Sequence, residues 1–108
     1  MDVGAEESRK RKEREKVNIR FRCGRVVATP AALEALRLAG QSESLFLRRH
    51  VSGDWGDALE AEDLGANEQA LCDGDRLFSA YWLSTGEKLW IITEWDRSAT
   101  TILLPEDY

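Results

Sequence analysis

The sequence predicts an α+β fold: an N-terminal strand, three helices, then a C-terminal antiparallel meander forming a sheet of three or four strands. Three observations lead there. Residues 76–105 read RLFSAYWLSTGEKLWIITEWDRSATTILLP, three apolar runs rich in aromatic and β-branched residues, broken by two turn signals. Residues 29–40 read TPAALEALRLAG, a stretch of helix formers between a cap and a glycine stop. Residues 17–23 alternate apolar and polar side chains, the period of a half-buried strand.

Taken in order, residues 1–16 form a basic arm with almost no apolar side chain, too polar to offset the entropy of ordering. Residues 17–108 make one α+β domain. Val17, Ile19, Phe21 and Cys23 line one side of the first strand, Gly24 bends it, and Val26 and Val27 continue it to Ala28. Thr29 caps the first helix, Pro30 suits its first position, and Gly40 ends it. Leu33, Leu36 and Leu38 are expected to face the core. Ser42 caps a second helix to His50, with Leu45, Phe46 and Leu47 inward and Arg48 and Arg49 at its negative end. Asp57 with Glu60 reads as a capping box for a third helix over residues 58–71. Asp73-Gly74-Asp75 leads into the meander, with turns at residues 84–87 and 95–98.

The 108 residues carry a net charge of −5, unevenly spread. Residues 1–25 sum to +4 and residues 26–108 to −9. Nucleic acid is therefore a partner option only through residues 8–16, because the acidic remainder repels a phosphate backbone. No apolar run is long enough for a membrane helix. With no apolar signal core at the start, a cytoplasmic protein is expected. Cys23 and Cys72 are far apart and His50 is the one histidine, so no metal or other cofactor is expected, and both thiols are read as buried and reduced.

Two-residue loops at both turns would place Thr93 opposite Phe78 and Thr100. That register gives one face Phe78, Ala80, Trp82, Leu89, Ile91, Thr93, Thr100 and Ile102, the apolar side for the helices. The other face receives Ser79, Tyr81, Trp90, Ile92, Glu94 and Thr101. Ser79, Tyr81 and Trp90 are candidate ligand-binding residues there. The loop around Asp54 and Trp55, flanked by Gly53 and Gly56, adds a candidate recognition element. A catalytic reading uses His50 and Glu94 as acid and base, Arg97 as the cation that stabilises a charged transition state, and Thr101 beside them. The plainer alternative makes the hydroxyls ordinary β-formers and His50 a helix-end cation.

The strings GRVVATPAALEAL, RHVSGDWG, RLFSAYWL and ITEWDRSATTILLPEDY together resemble a small bacterial family of plasmid-related proteins, carried on plasmids and integrative elements. The resemblance covers residues 17–108. The chain departs from the family pattern in its basic arm and in Trp95, where the motif is ITEADR-like. The family brings no activity with it; it implies an accessory role on mobile DNA. The leading expectation is therefore an accessory or regulatory protein of a mobile element that acts by binding a protein partner. The alternatives are a metal-independent nuclease of the barnase or RelE type, which rests on fold analogy, and an acidic DNA mimic that blocks a DNA-binding enzyme.

Overall fold

A computed structural model describes residues 18–108, so the expectation for the arm lies outside the described residues. The described chain is α+β. Its elements are β1 (Arg25–Ala28), α1 (Pro30–Ala39), α2 (Glu43–Val51), α3 (Ala61–Asp73), β2 (Leu77–Trp82), β3 (Lys88–Thr93), β4 (Ala99–Leu103) and a final 3₁₀ turn, Pro105–Asp107. The four strands make one sheet in the order β1-β4-β3-β2. β2, β3 and β4 pair antiparallel, as expected, but β1 joins β4 in parallel, so the sheet is mixed.

The first strand is shorter and later than the alternation at residues 17–23 suggests. Ile19 is exposed, Phe21 is buried, and only Arg25–Ala28 pairs with β4. Upstream, single contacts hold the chain: Arg20 N–H donates to the Val51 carbonyl at 2.8 Å, and the Thr100 hydroxyl donates to the Cys23 carbonyl at 2.8 Å. Gly24, at φ 64°, sits against the Arg97 and Ser98 carbonyls where any Cβ would collide.

The caps of α1 and α2 match the sequence expectation. Thr29 Oγ1 accepts from Ala32 N–H at 3.1 Å, Ser42 Oγ from Leu45 N–H at 3.4 Å, and Gly40 closes α1 in the left-handed region at φ 66°. Their buried faces differ from it. α1 buries Ala32, Ala35 and Leu36 while Leu33 and Leu38 are exposed, and α2 buries Phe46 while Leu45 is exposed. The inward stripe of α1 is therefore Ala32, Ala35 and Leu36, rotated from the leucines. α3 begins at Ala61, with Glu60 as a cap that makes no side-chain bond, so the capping box expected for residues 58–71 does not form.

The first hairpin decides which side chains share a face. Leu83 N–H donates to Glu87 O at 2.8 Å and Gly86 N–H to Leu83 O at 2.9 Å, which leaves a three-residue loop with Gly86 at φ 91°. The odd loop moves the register by one, so Thr93 faces Leu77 instead of Phe78. Leu77, Ser79 and Tyr81 consequently share the inner face with Leu89, Ile91, Thr93, Thr100 and Ile102, while Phe78, Trp82, Trp90, Ile92 and Thr101 point outward. The second loop has four residues instead of two. That even change leaves Thr93 opposite Thr100, as expected.

β2 is an edge strand, and the chain closes its edge by two devices. Ala80 N–H donates to the Trp55 carbonyl at 3.0 Å, and Ala58 N–H donates to the Ala80 carbonyl at 3.2 Å. Two residues earlier, the carboxamide of buried Asn67 on α3 bonds both ways with Phe78, Nδ2–H donating to its carbonyl at 2.5 Å and Oδ1 accepting from its N–H at 2.9 Å. These bonds satisfy backbone groups that would otherwise invite another strand. Replacing Asn67 with Leu orphans both Phe78 groups and should lower unfolding free energy in urea by about 2–3 kcal/mol. A change below about 0.5 kcal/mol would contradict this role.

Candidate functional site

The inner face holds a buried polar chain around His50. His50, Ser79, Thr93 and Thr100 are all 0% exposed. His50 Nδ1 lies 2.5 Å from Ser79 Oγ and Nε2 lies 2.8 Å from Thr93 Oγ1, with Thr93 Oγ1 2.7 Å from Thr100 Oγ1. The rings of Phe21 and Trp55 pack edge-on against the imidazole, at 5.0 and 5.8 Å.

The far end of this chain fixes every proton. Thr100 donates to the Cys23 carbonyl, which only accepts. Thr93 must then donate to Thr100, His50 Nε2–H to Thr93, and Ser79 O–H to a lone pair on Nδ1. His50 is therefore a neutral Nε2–H imidazole. Burial pushes its pKa from 6.5 down to about 3, and the positive charge of Arg97 lowers it further in the same direction. Every buried polar side-chain atom among the described residues has a partner.

Ser79 and His50 have the contact of a nucleophile and its base, but neither is exposed and no carboxylate orients the second nitrogen. Of the residues read as catalytic, none of the others joins them. Thr101 points to the outer face opposite Ile92. Glu94 closes the β3–β4 turn through its backbone, which bonds Ala99 and Arg97. Arg97, at φ 61°, spends its guanidinium on main-chain carbonyls: Nη1 donates to Asp75 O at 2.6 Å and Glu94 O at 3.1 Å, and Nη2 to Ala70 O at 3.3 Å. It thereby supplies the cation that the last turn of α3 lacks.

The residues read as ligand-binding also separate. Tyr81 is buried, donates to the Asp54 carbonyl at 2.6 Å and has its pKa raised by burial. The Arg49 guanidinium lies 4.6 Å above the Tyr81 ring and bonds Asp54 Oδ2 at 2.6 Å, which holds the Asp54 carboxyl below its ordinary range. Trp55 is buried too, its Nε1–H donating to Glu68 at 2.8 Å, and Glu68 pairs bidentately with Arg20. The Asp54–Trp55 loop thus binds the chain to itself. The thiols differ from expectation: Cys72 is exposed and Cys23 half-buried, both free.

Trp90 alone lies in a concavity, a cleft of about 350 Å³ between α3 and the outer face of the sheet. Phe78, Trp90 and Ile92 form its floor, and Asp63, Ala66 and Asn67 its helical wall. Arg76 and the terminal Tyr108 complete it. Phe78 meets Trp90 edge to face at 4.8 Å, and Trp90 meets Tyr108 at 5.9 Å. Arg76 lies 5.7 Å over the Tyr108 ring and donates to its hydroxyl at 3.2 Å. The 3₁₀ turn is held by Asp107, which accepts from the Thr29 hydroxyl at 2.6 Å and from Leu104 N–H at 3.0 Å. Sequence reasoning reached Trp90 but missed Phe78, Arg76, Asp63 and Tyr108. One signal was available: Asn67, a weak helix former inside a helix, needs a hydrogen-bond partner.

Among the described residues no group of His, Cys, Asp and Glu could hold a metal ion, and no helix is long and apolar enough to cross a membrane. The neutral His50 has a measurable consequence. Between pH 6.5 and 3 the unfolded chain takes up a proton that the folded chain refuses, so stability is intact above pH 6.5 and falls with acidification. The slope should approach 1.4 kcal/mol per pH unit, about the cost of one unit of pKa shift. Between pH 6.5 and 5.5, where Asp and Glu are almost fully ionised in both states, His50 dominates it. His50→Gln keeps an acceptor and a donor without titrating, so urea unfolding of this variant should show a flat profile there; an unchanged slope would contradict the assignment. No protein-family model, curated protein or solved structure matches this chain.

Proposed function

We propose that this chain is a binding protein, an accessory or regulatory factor of a bacterial mobile element that engages a polypeptide partner through the cleft between α3 and the sheet. The cleft carries this reading. It joins a floor of aromatic and aliphatic side chains to a few polar groups, the composition of a recognition site. The mobile-element setting rests on the resemblance of residues 17–108 to plasmid-related proteins. The nuclease alternative finds no support in geometry: His50 is buried with both ring nitrogens bonded, Arg97 is committed to carbonyls, and Thr101 lies on the opposite face of the sheet.

Ala66 is exposed on the helical wall, so Ala66→Trp fills the cleft without disturbing the core. The full chain should retain one defined host or element polypeptide, form a stoichiometric complex with it after purification, and lose that complex in Ala66→Trp at unchanged thermal stability. A complex insensitive to this substitution would refute the cleft as the binding site. RNA cleavage by the purified chain that is lost on His50→Gln would refute the binding reading in favour of the enzyme.

A further inference from the structure

We infer that the cleft recognises a basic segment of its partner, taking a lysine or arginine side chain between the aromatic floor and Asp63. This deepens the binding reading above and rests on it. Three observations converge. Phe78, Trp90 and Tyr108 line one cleft, and aromatic faces attract cations through their quadrupole. The Tyr108 ring already has the Arg76 guanidinium over it at 5.7 Å, so one ring of the cleft accepts a cationic neighbour within the chain itself. The helical wall belongs to residues 57–75, a stretch with seven Asp or Glu and neither Lys nor Arg.

The two charges of the cleft set the direction of entry. Asp63 lies one helical turn before Asn67, while Arg76 lies two residues before Phe78. Because Asn67 bonds Phe78 and the chain reverses between α3 and β2, Asp63 and Arg76 stand on opposite sides of that bonded pair. An entering cation belongs at the Asp63 end. The apolar stem of Lys or Arg would lie along Trp90 and Ile92 with its charged head toward the carboxylate. An acidic segment would meet the like charge of residues 57–75. A wholly apolar one would leave Asp63 unused. The volume, at the small end of the about 300–1,000 Å³ usual for ligand pockets, suits one or two side chains of an extended segment.

The test uses the full chain and two synthetic peptides of equal length, one rich in Lys and Arg, the other with Glu at those positions. The Trp90 indole N–H resonance reports the site directly. The basic peptide should shift it, the acidic one should not. Asp63→Lys and Ala66→Trp should each weaken the basic peptide at least tenfold, and added salt should weaken it in the parent chain. Equal or tighter binding of the acidic peptide would overturn the inference. So would basic-peptide binding that ignores Asp63→Lys and Ala66→Trp, or no Trp90 shift with either peptide. The two fail separately: a natural partner that leaves on Ala66→Trp but whose contact segment lacks Lys and Arg would sink the basic-segment inference while leaving the cleft as the binding site.

Discussion

The bonds between the Asn67 carboxamide and both backbone groups of Phe78 fix more of this molecule than their two distances suggest. They close an edge strand, which otherwise exposes unpaired N–H and C=O groups. They also hold α3 beside β2, and that placement creates the cleft. With α3 elsewhere, Phe78 and Trp90 would form an open aromatic surface on the outer face of the sheet. Arg97 supports the same placement from the other end, tying the last turn of α3 to the β3–β4 loop through the Ala70, Asp75 and Glu94 carbonyls.

The inner face solves a different problem. A sheet packed against helices excludes water, yet this one carries Ser79, Thr93, Thr100 and His50 with no exposure. Four buried polar groups are tolerable because each bond hands its proton onward in one direction, ending on the Cys23 carbonyl. This chain joins α2, three strands of the sheet and the segment before β1. It explains why a lone histidine in a site-like contact with a serine belongs to the architecture.

What the sequence disclosed was mostly local. Thr29, Ser42 and Gly40 marked the ends of α1 and α2 because capping depends on residues a few positions apart. The pairing of Thr93 with Thr100 was readable because lengthening the second loop by two residues leaves the faces unchanged. The first loop has an odd number of residues, and this one unit moved Ser79 and Tyr81 from the outer face into the core. The parallel docking of Arg25–Ala28 against β4 was not readable, since alternation at residues 17–23 gives a period and no partner. Leu33 and Leu38 misled for a related reason: which stripe of a helix is buried is set by its neighbour, and here the side with Ala32, Ala35 and Leu36 faces inward. The cleft drew on α3, β2, β3 and the last residue of the chain, and only Trp90 was visible in advance as part of it.

The proposed docking of a partner at the outer cleft is open to measurement. Hydrogen–deuterium exchange on the full chain, alone and in the purified complex, tests it most directly. New protection is expected at the start of α3, over residues 61–63, whose first-turn amides lack i→i−4 helical partners, and in the final turn through Tyr108, with the amides of α1 and α2 unchanged. Protection confined to the exposed edge of β1 or to α1, with the cleft exchanging as in the free chain, would contradict it.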